Sequence, residues 1–255
     1  MQYPGKQVLD GINLEVQAGQ IIGYIGPNGA GKSTTLKILL GLIEDYEGTV
    51  EVFGQNLRNA DASYKGRIGY VPENAEIYEN LTPNEYLTFV GELYGMDKES
   101  AEEKALKLMN ELELGEMFNT RISSFSKGMR QKVLIVSSLL HDPDVLFLDE
   151  PLSGLDANSV MVVKDMLALL AERGKTIFYS SHIMDVVEKI SNRIIVLYNG
   201  KIAADGTFES LKEQSKNEEG SLEAIFNQLT GFDEHKNSAE RFVDIVTGTG
   251  GGEGE

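Results

Sequence analysis

Gly26-Pro27-Asn28-Gly29-Ala30-Gly31-Lys32-Ser33-Thr34 follows the pattern G-x-x-x-x-G-K-[ST], and its reading decides the fold. Before it, Ile21-Ile22-Gly23-Tyr24-Ile25 reads as a short buried strand. After it, Thr34 to Leu42 reads as a helix with Leu36, Leu39 and Leu40 on one face. Strand, glycine loop and helix form the context that a phosphate-binding loop needs. Glycines let the backbone curl so that successive N–H groups point inward at phosphate oxygens. The helix N-terminus adds unpaired donors and a partial positive charge. Lys32 supplies a mobile cation for the outer phosphates, and the Ser33 hydroxyl can ligate Mg²⁺.

Val145-Leu146-Phe147-Leu148-Asp149-Glu150 is the companion stretch. A continuous apolar run suits a central parallel strand, and this one ends in two carboxylates. Such a strand is expected to carry its acids to the sheet edge beside the glycine loop. Asp149 would hold Mg²⁺, mostly through water, and Glu150 would polarise the water that attacks a γ-phosphate. Two further stretches fit the same chemistry. Phe125-Ser126-Lys127-Gly128-Met129-Arg130-Gln131-Lys132 places a serine at a helix start, an N-cap that can also clamp phosphate. His182 follows the strand Ile177-Phe178-Tyr179 and the pair Ser180-Ser181, at a C-terminal strand end, where α/β sites are built.

Composition bounds the partners. The 255 residues suffice for one domain, or one with a subdomain, and for a full core. The net charge is -17, which argues against nucleic acid as the main partner. Residues 217–255 hold nine acidic and two basic side chains, so the remainder is also acidic. That charge gives no support for unaided binding to an anionic membrane. No apolar run reaches the roughly 20 residues of a membrane span, and the first residues do not read as a signal peptide. There is no cysteine, hence no disulfide framework. The cytoplasm is the expected compartment.

Along the chain, Tyr3 to Gln17 predicts a meander of short strands, and the abrupt start leaves room for a further strand before Tyr3. Glu47 to Phe53 and Ile68 to Val71 predict strands, with a polar loop between them. Pro83 to Tyr94, Lys98 to Leu114 and Ser126 to His141 predict three helices, the second with Ala101, Ala105, Leu108 and Leu112 at helical spacing. Residues 73–142 are thus expected to form a helical subdomain inserted into an α/β core. Ala157 to Arg173 predicts a helix capped by Gly174, and Thr176 to Tyr179 and Arg193 to Tyr198 predict strands. Asn199-Gly200 signals a hairpin into Lys201-Ile202-Ala203. Helices are expected over Phe208–Gln214 and Ser221–Leu229, and a disordered tail over Gly248–Glu255.

The order of these pieces resembles the nucleotide-binding subunit of ABC transporters, over about residues 3–215. The resemblance implies a P-loop NTPase (RecA-like) α/β core, an antiparallel β subdomain and the inserted helical subdomain. It puts residues 1–215 in the ATP-binding domain and 216–255 in a C-terminal extension. Tyr3 falls at the position that stacks on adenine. Gly26 to Thr34 is the Walker A loop, with Gly26, Asn28, Gly29, Gly31, Lys32, Ser33 and Thr34 toward the nucleotide. Val145 to Asp149 is the Walker B strand, and Glu150 the catalytic carboxylate. Phe125 to Met129 stands where the family writes its Leu-Ser-Gly-Gly-Gln signature, with Lys127 and Met129 in place of Gly and Gln and with Ser126 and Gly128 kept. Ser153 to Asp156 is the D-loop, and His182 the switch histidine. The family's usual glutamine after the strand 68–71 is here Glu73, whose carboxylate can still reach Mg²⁺ or the attacking water.

The resemblance implies ATP and Mg²⁺ as ligands, with two subunits, identical or related, sandwiching two nucleotides. It implies a separate membrane permease as partner, and so a place at the inner face of the cell membrane. The Phe-Ser-Lys-Gly-Met segment and the Pro72-Glu73 pair look most like subunits that drive small efflux permeases. The permease is expected to dock near Asn74, Ile77, Tyr78, Leu81 and Tyr86. Two other readings stay open: a soluble ABC ATPase without a transporter, and the energy subunit of an importer.

Overall fold

The structure, a computed structural model, describes residues 1–3, 6–73, 77–215, 220–231 and 234–247. The chain opens with two short strands, β1 (Gln2–Tyr3) and β2 (Lys6–Gln7), paired antiparallel. Strand β3 (Ile21–Ile25) follows, then helix α1 (Lys32–Leu39). The antiparallel pair β4 (Glu51–Val52) and β5 (Gln55–Asn56) precedes β6 (Ile68–Val71). Three helices come next: α2 (Pro83–Leu93), α3 (Lys98–Glu111) and α4 (Lys127–Leu139). Then β7 (Val145–Asp149), α5 (Ala157–Glu172), β8 (Thr176–Ser180), α6 (Met184–Ile190), β9 (Arg193–Tyr198) and β10 (Lys201–Gly206) alternate. Helices α7 (Phe208–Ser215), α8 (Leu222–Thr230) and α9 (Glu234–Thr247) end the described chain.

The central sheet runs β10-β9-β3-β8-β7-β6, parallel except for the β10 edge. Strand β8 lies between β3 and β7, and the three parallel strands end at one sheet edge. Both sheet faces are covered, as apolar parallel strands require. Ile22, Tyr24, Phe147, Phe178, Ile195 and Leu197 face one way and pack with Leu36 and Ile38 of α1. Ile21, Ile25, Leu146, Leu148, Ile177 and Val196 face the other way, toward Val133 and Val136 of α4 and Val163 and Leu167 of α5. Leu36 is fully buried, worth about 1.5–3 kcal/mol over an exposed leucine.

The helices start where their sequences say. Thr82 caps α2 in a reciprocal box with Glu85, and Pro83 occupies the first turn, where its missing N–H costs nothing. Helix α3 buries Ala101 and Ala105 as its spacing predicts, and also Met109, with Leu108 only partly covered. Gly91 lets the Ala101 methyl approach α2 closely.

Several expectations change. The Tyr3–Gln17 meander reduces to β1 and β2, and residues 8–20 are irregular although Leu9 is core. Its alternating apolar residues Ile12, Leu14 and Val16 pack on the α1 side without forming a ladder. The Glu47–Phe53 strand shrinks to Glu51–Val52. Helices α6 and α9 were not foreseen, and α9 leaves Phe242, Val243, Ile245 and Val246 exposed. The Tyr3 ring, Asn74 and the 248–255 tail lie outside the described residues.

Helix α6, which follows His182, rests directly on β3 at Gly23. A Cβ on Gly23 would run into Val187 and Ser191. Replacing Gly23 with valine is expected to push α6 off the sheet and to lower unfolding stability by about 1–3 kcal/mol, the usual cost of overpacking. A shift of the urea midpoint measures it.

Candidate active site

The glycine loop is shaped by close backbone approach. Gly31 begins α1 at φ 110°, with no side-chain cap, and Gly29 also lies at positive φ, 78°. A side chain at Gly31 would strike Leu9 and the Val8 carbonyl, and one at Gly26 would strike the Leu197 carbonyl. The loop is therefore a cradle of bare backbone, with Asn28 and Gly29 exposed at its tip. The Thr35 hydroxyl donates to Gly31 O at 3.0 Å and lies 3.1 Å from the Tyr24 hydroxyl. This ties the first turn of α1 to β3. Burial pushes the Tyr24 hydroxyl up to about 12, with the Thr35 hydrogen bond opposing.

Lys32 folds back over the loop. Its Nζ donates to Gly26 O at 2.6 Å and to Pro27 O at 3.3 Å. Burial lowers its pKa, and the charges of Glu150, Asp149 and Glu73 pull it back up. Three carboxylates from two strand ends thus act on one ammonium. Ser33 and Thr34 are half-buried in the same turn.

The carboxylates come from β7 and the segment after β6. Asp149 is buried and sits opposite Ser180 in the β7–β8 ladder. Glu150 leaves the strand at φ 51°, and its N–H donates to Ser180 O at 2.9 Å. Its Oε2 accepts from Ser181 Oγ at 3.1 Å, and its Oε1 lies 2.8 Å from His182 Nδ1. The His182 ring is otherwise open, with 72% of its side chain exposed. Ser181 is a site residue that sequence reasoning passed over, and its signal was the Ser-Ser-His triplet at a strand end. Glu73 is exposed just beyond β6, and its charge also raises the pKa of Tyr70, to about 12, behind burial and Asp149.

Among the described residues, no group of three or more His, Asp or Glu could by itself hold a metal ion. A Mg²⁺ site does not need one. That ion keeps several waters and takes one or two protein oxygens plus phosphate. A hydroxyl at Ser33 and a carboxylate at Asp149 fit this donor set.

The remaining expected site residues look elsewhere within this chain. Ser126 caps α4, its Oγ accepting from Met129 N at 3.2 Å. Gly128 abuts the Gly154 carbonyl so closely that no side chain fits. Asp156 caps α5, accepting from Ser159 N at 2.9 Å and Ser159 Oγ at 2.6 Å. These bonds, with help from Lys132, hold the Asp156 carboxyl well below the usual carboxylate range. The partners of Ser126 and Asp156 therefore lie on α4 and α5 and not on the 26–34 loop.

The ABC transporter family pattern matches residues 9–153. An uncharacterised ABC transporter ATP-binding protein of Methanocaldococcus jannaschii is 40% identical over 209 residues, covering 82% of this chain and 75% of that protein. The ABC-type transporter ATP-binding protein EcsA of Bacillus subtilis is 32% identical over 231 residues, covering 91% of this chain and 94% of its own. The daunorubicin/doxorubicin resistance ATP-binding protein DrrA of Streptomyces peucetius is 36% identical over 210 residues, 82% of this chain and 64% of that protein. Among solved structures, an ATP-binding subunit of an ABC transporter superposes with a TM-score of 0.83 at 32% identity, over 89% of this chain and 95% of that one. A dimeric ATP-binding cassette in a post-hydrolysis state, bound to ADP and Pi, superposes with a TM-score of 0.73 at 26% identity, over 78% and 90%. With the phosphate cradle, the paired carboxylates and these matches in agreement, the chain belongs to the ABC transporter family as an ATP-binding, ATP-hydrolysing subunit.

Proposed function

We propose that this subunit binds Mg-ATP at residues 26–34, hydrolyses it with Glu150 as the water-polarising carboxylate, and closes as a dimer to drive a separate permease in export. The observation that carries this reading is the geometry of Glu150. Its two oxygens are engaged by Ser181 and His182 at the sheet edge, while its charge is felt by Lys32 in the phosphate cradle. A carboxylate so oriented can accept a proton from a water placed in line with the outermost phosphate. His182 sits beside it with an open ring, able to sense that phosphate. Lys32, which now spends its hydrogen bonds on loop carbonyls, would transfer them to phosphate oxygens. When bound, Mg²⁺ would neutralise phosphate charge from Ser33 and Asp149, with Glu73 near enough to join. Asn28, Gly29, Gly31 and Thr34 would line the phosphates, and Tyr3 would stack on the base.

Ser126, Gly128 and Asp156 would act on the nucleotide of a second subunit, in keeping with contacts that stay on α4, α5 and the segment 151–156 within one chain. The dimeric relative with ADP and Pi bound supports that arrangement. Export is supported by similarity to a drug-resistance ATP-binding protein. For the permease contact, Ile77 is withdrawn: it is core, 7% exposed. Tyr86 is half-buried, with Ser137 Oγ 3.4 Å from its hydroxyl. Tyr78, Phe89 and Leu93 are 66%, 47% and 69% exposed and form the better anchors.

Glu150→Gln keeps the shape and removes the base. Hydrolysis is expected to fall by about 10²–10⁴-fold, and light scattering should show a monomer that becomes a dimer only with Mg-ATP. Retained hydrolysis, or a monomer at saturating ATP, would sink the mechanism. Lys32→Ala is expected to abolish binding of a fluorescent ATP analogue that Glu150→Gln still binds. Tyr78→Glu should leave basal hydrolysis intact and remove co-purification with the permease.

A further inference from the structure

One face of α4 grips the loop that leaves Glu150. Lys127 Nζ donates to Ser153 Oγ at 2.9 Å. Its aliphatic stem passes over Gly154, which lies at φ 79°, and a Cβ there would sit 3.3 Å from Cγ and Cδ of Lys127. Gly128 brings bare backbone against the Gly154 carbonyl. One turn on, Gln131 Nε2 donates to Pro151 O at 3.0 Å, and Lys132 Nζ reaches Asp156 Oδ2 at 3.3 Å. Residues four apart stack on one side of a helix, so these four side by side hold the segment 151–156 along its length. The segment is tied to Glu150 in turn, because Ser153 N donates to Glu150 O at 3.1 Å. Glu150 itself occupies a left-handed backbone conformation that non-glycine residues rarely adopt without support.

Lys127 stands out in this grip. Gln131 and Lys132 are buried, whereas Lys127 is exposed, and the signature it belongs to has glycine at its position. A glycine could not make the bond to Ser153. Lysine can, since its stem packs on Gly154 while three N–H donors reach past it.

We propose that Lys127 is a positioning residue for ATP hydrolysis. Through Ser153 it fixes the turn that presents Glu150 to the attacking water. This rests on Glu150 being the hydrolytic carboxylate. A single ammonium–hydroxyl bond near the surface contributes little to folding, so its loss is expected to leave the thermal midpoint in place.

The test compares full-length wild type with Lys127→Ala, Lys127→Arg, Ser153→Ala and the Lys127→Ala/Ser153→Ala double variant. Steady-state hydrolysis, the KM for ATP and the thermal midpoint are read for each. Lys127→Ala and Ser153→Ala should each lower kcat about three- to tenfold with KM changed by less than about twofold and the midpoint unmoved. The double variant should fall no further than either single change, because both remove the same interaction. Lys127→Arg should restore most of the rate. An unchanged kcat, a loss that appears in KM, or losses that multiply would overturn the proposal. Glu150→Gln is read in the same assay: if it retains hydrolysis, the catalytic reading of Glu150 has failed, whereas its inactivity beside a fully active Lys127→Ala isolates the failure to Lys127.

Discussion

Ser180 is paired on both sides, with Asp149 of β7 and with Tyr24 of β3, and the site depends on that double register. Parallel strands in register end together, so the loops after β3, β7 and β8 emerge side by side at one edge. The glycine loop and Glu150 begin two of those loops, Asp149 ends β7, and His182 is the second residue after β8. Ser180 is fully buried and small, which suits a strand clasped between two others. A slip of one residue in either ladder would turn Asp149 or Glu150 to the opposite face and dismantle the edge.

Electrostatics then sets the resting state of the cradle. A half-buried ammonium at Lys32 is costly, and its lowered pKa expresses that cost. Glu150, Asp149 and Glu73 offset part of it, and the Gly26 and Pro27 carbonyls accept its hydrogen bonds. The loop is thereby kept in shape by a cation that can exchange neutral acceptors for charged ones. In a chain of net charge -17, this ammonium places a positive charge at the glycine loop beside three carboxylates.

The same economy appears where α4 meets the loop 151–156. Glycines at 128 and 154 let two backbones touch, and Lys127, Gln131 and Lys132 bind the contact from one side. These contacts join the start of α4 to the turn after Glu150. Helices α2 and α3, joined closely at Gly91, complete the body to which α4 belongs.

Much of this was legible in the sequence because it is local. A glycine spacing, a strand ending in Asp149-Glu150 and a serine before α4 each act within a few residues, so the order of types along the chain suffices. The family likeness rests on those same short stretches. Only the tertiary structure decided that β8 lies between β3 and β7, because strand order depends on how crossovers pack and not on any one segment. Ser181 became a partner of Glu150 for that reason. Alternation over Ile12, Leu14 and Val16 looked like strand, yet those side chains find their cover without a ladder, since burial and hydrogen-bond pairing are separate requirements. Ile77 and Tyr78 are adjacent large side chains that the sequence reading grouped on one surface, and the fold buries the first and exposes the second. The sequence by itself determined the local patterns, the glycine loop, the apolar strand ending in two carboxylates and the serine that starts α4, because each lies within a few residues. The fold determined which groups meet each other, because contacts between residues far apart in the chain arise only when the sheet has closed its register.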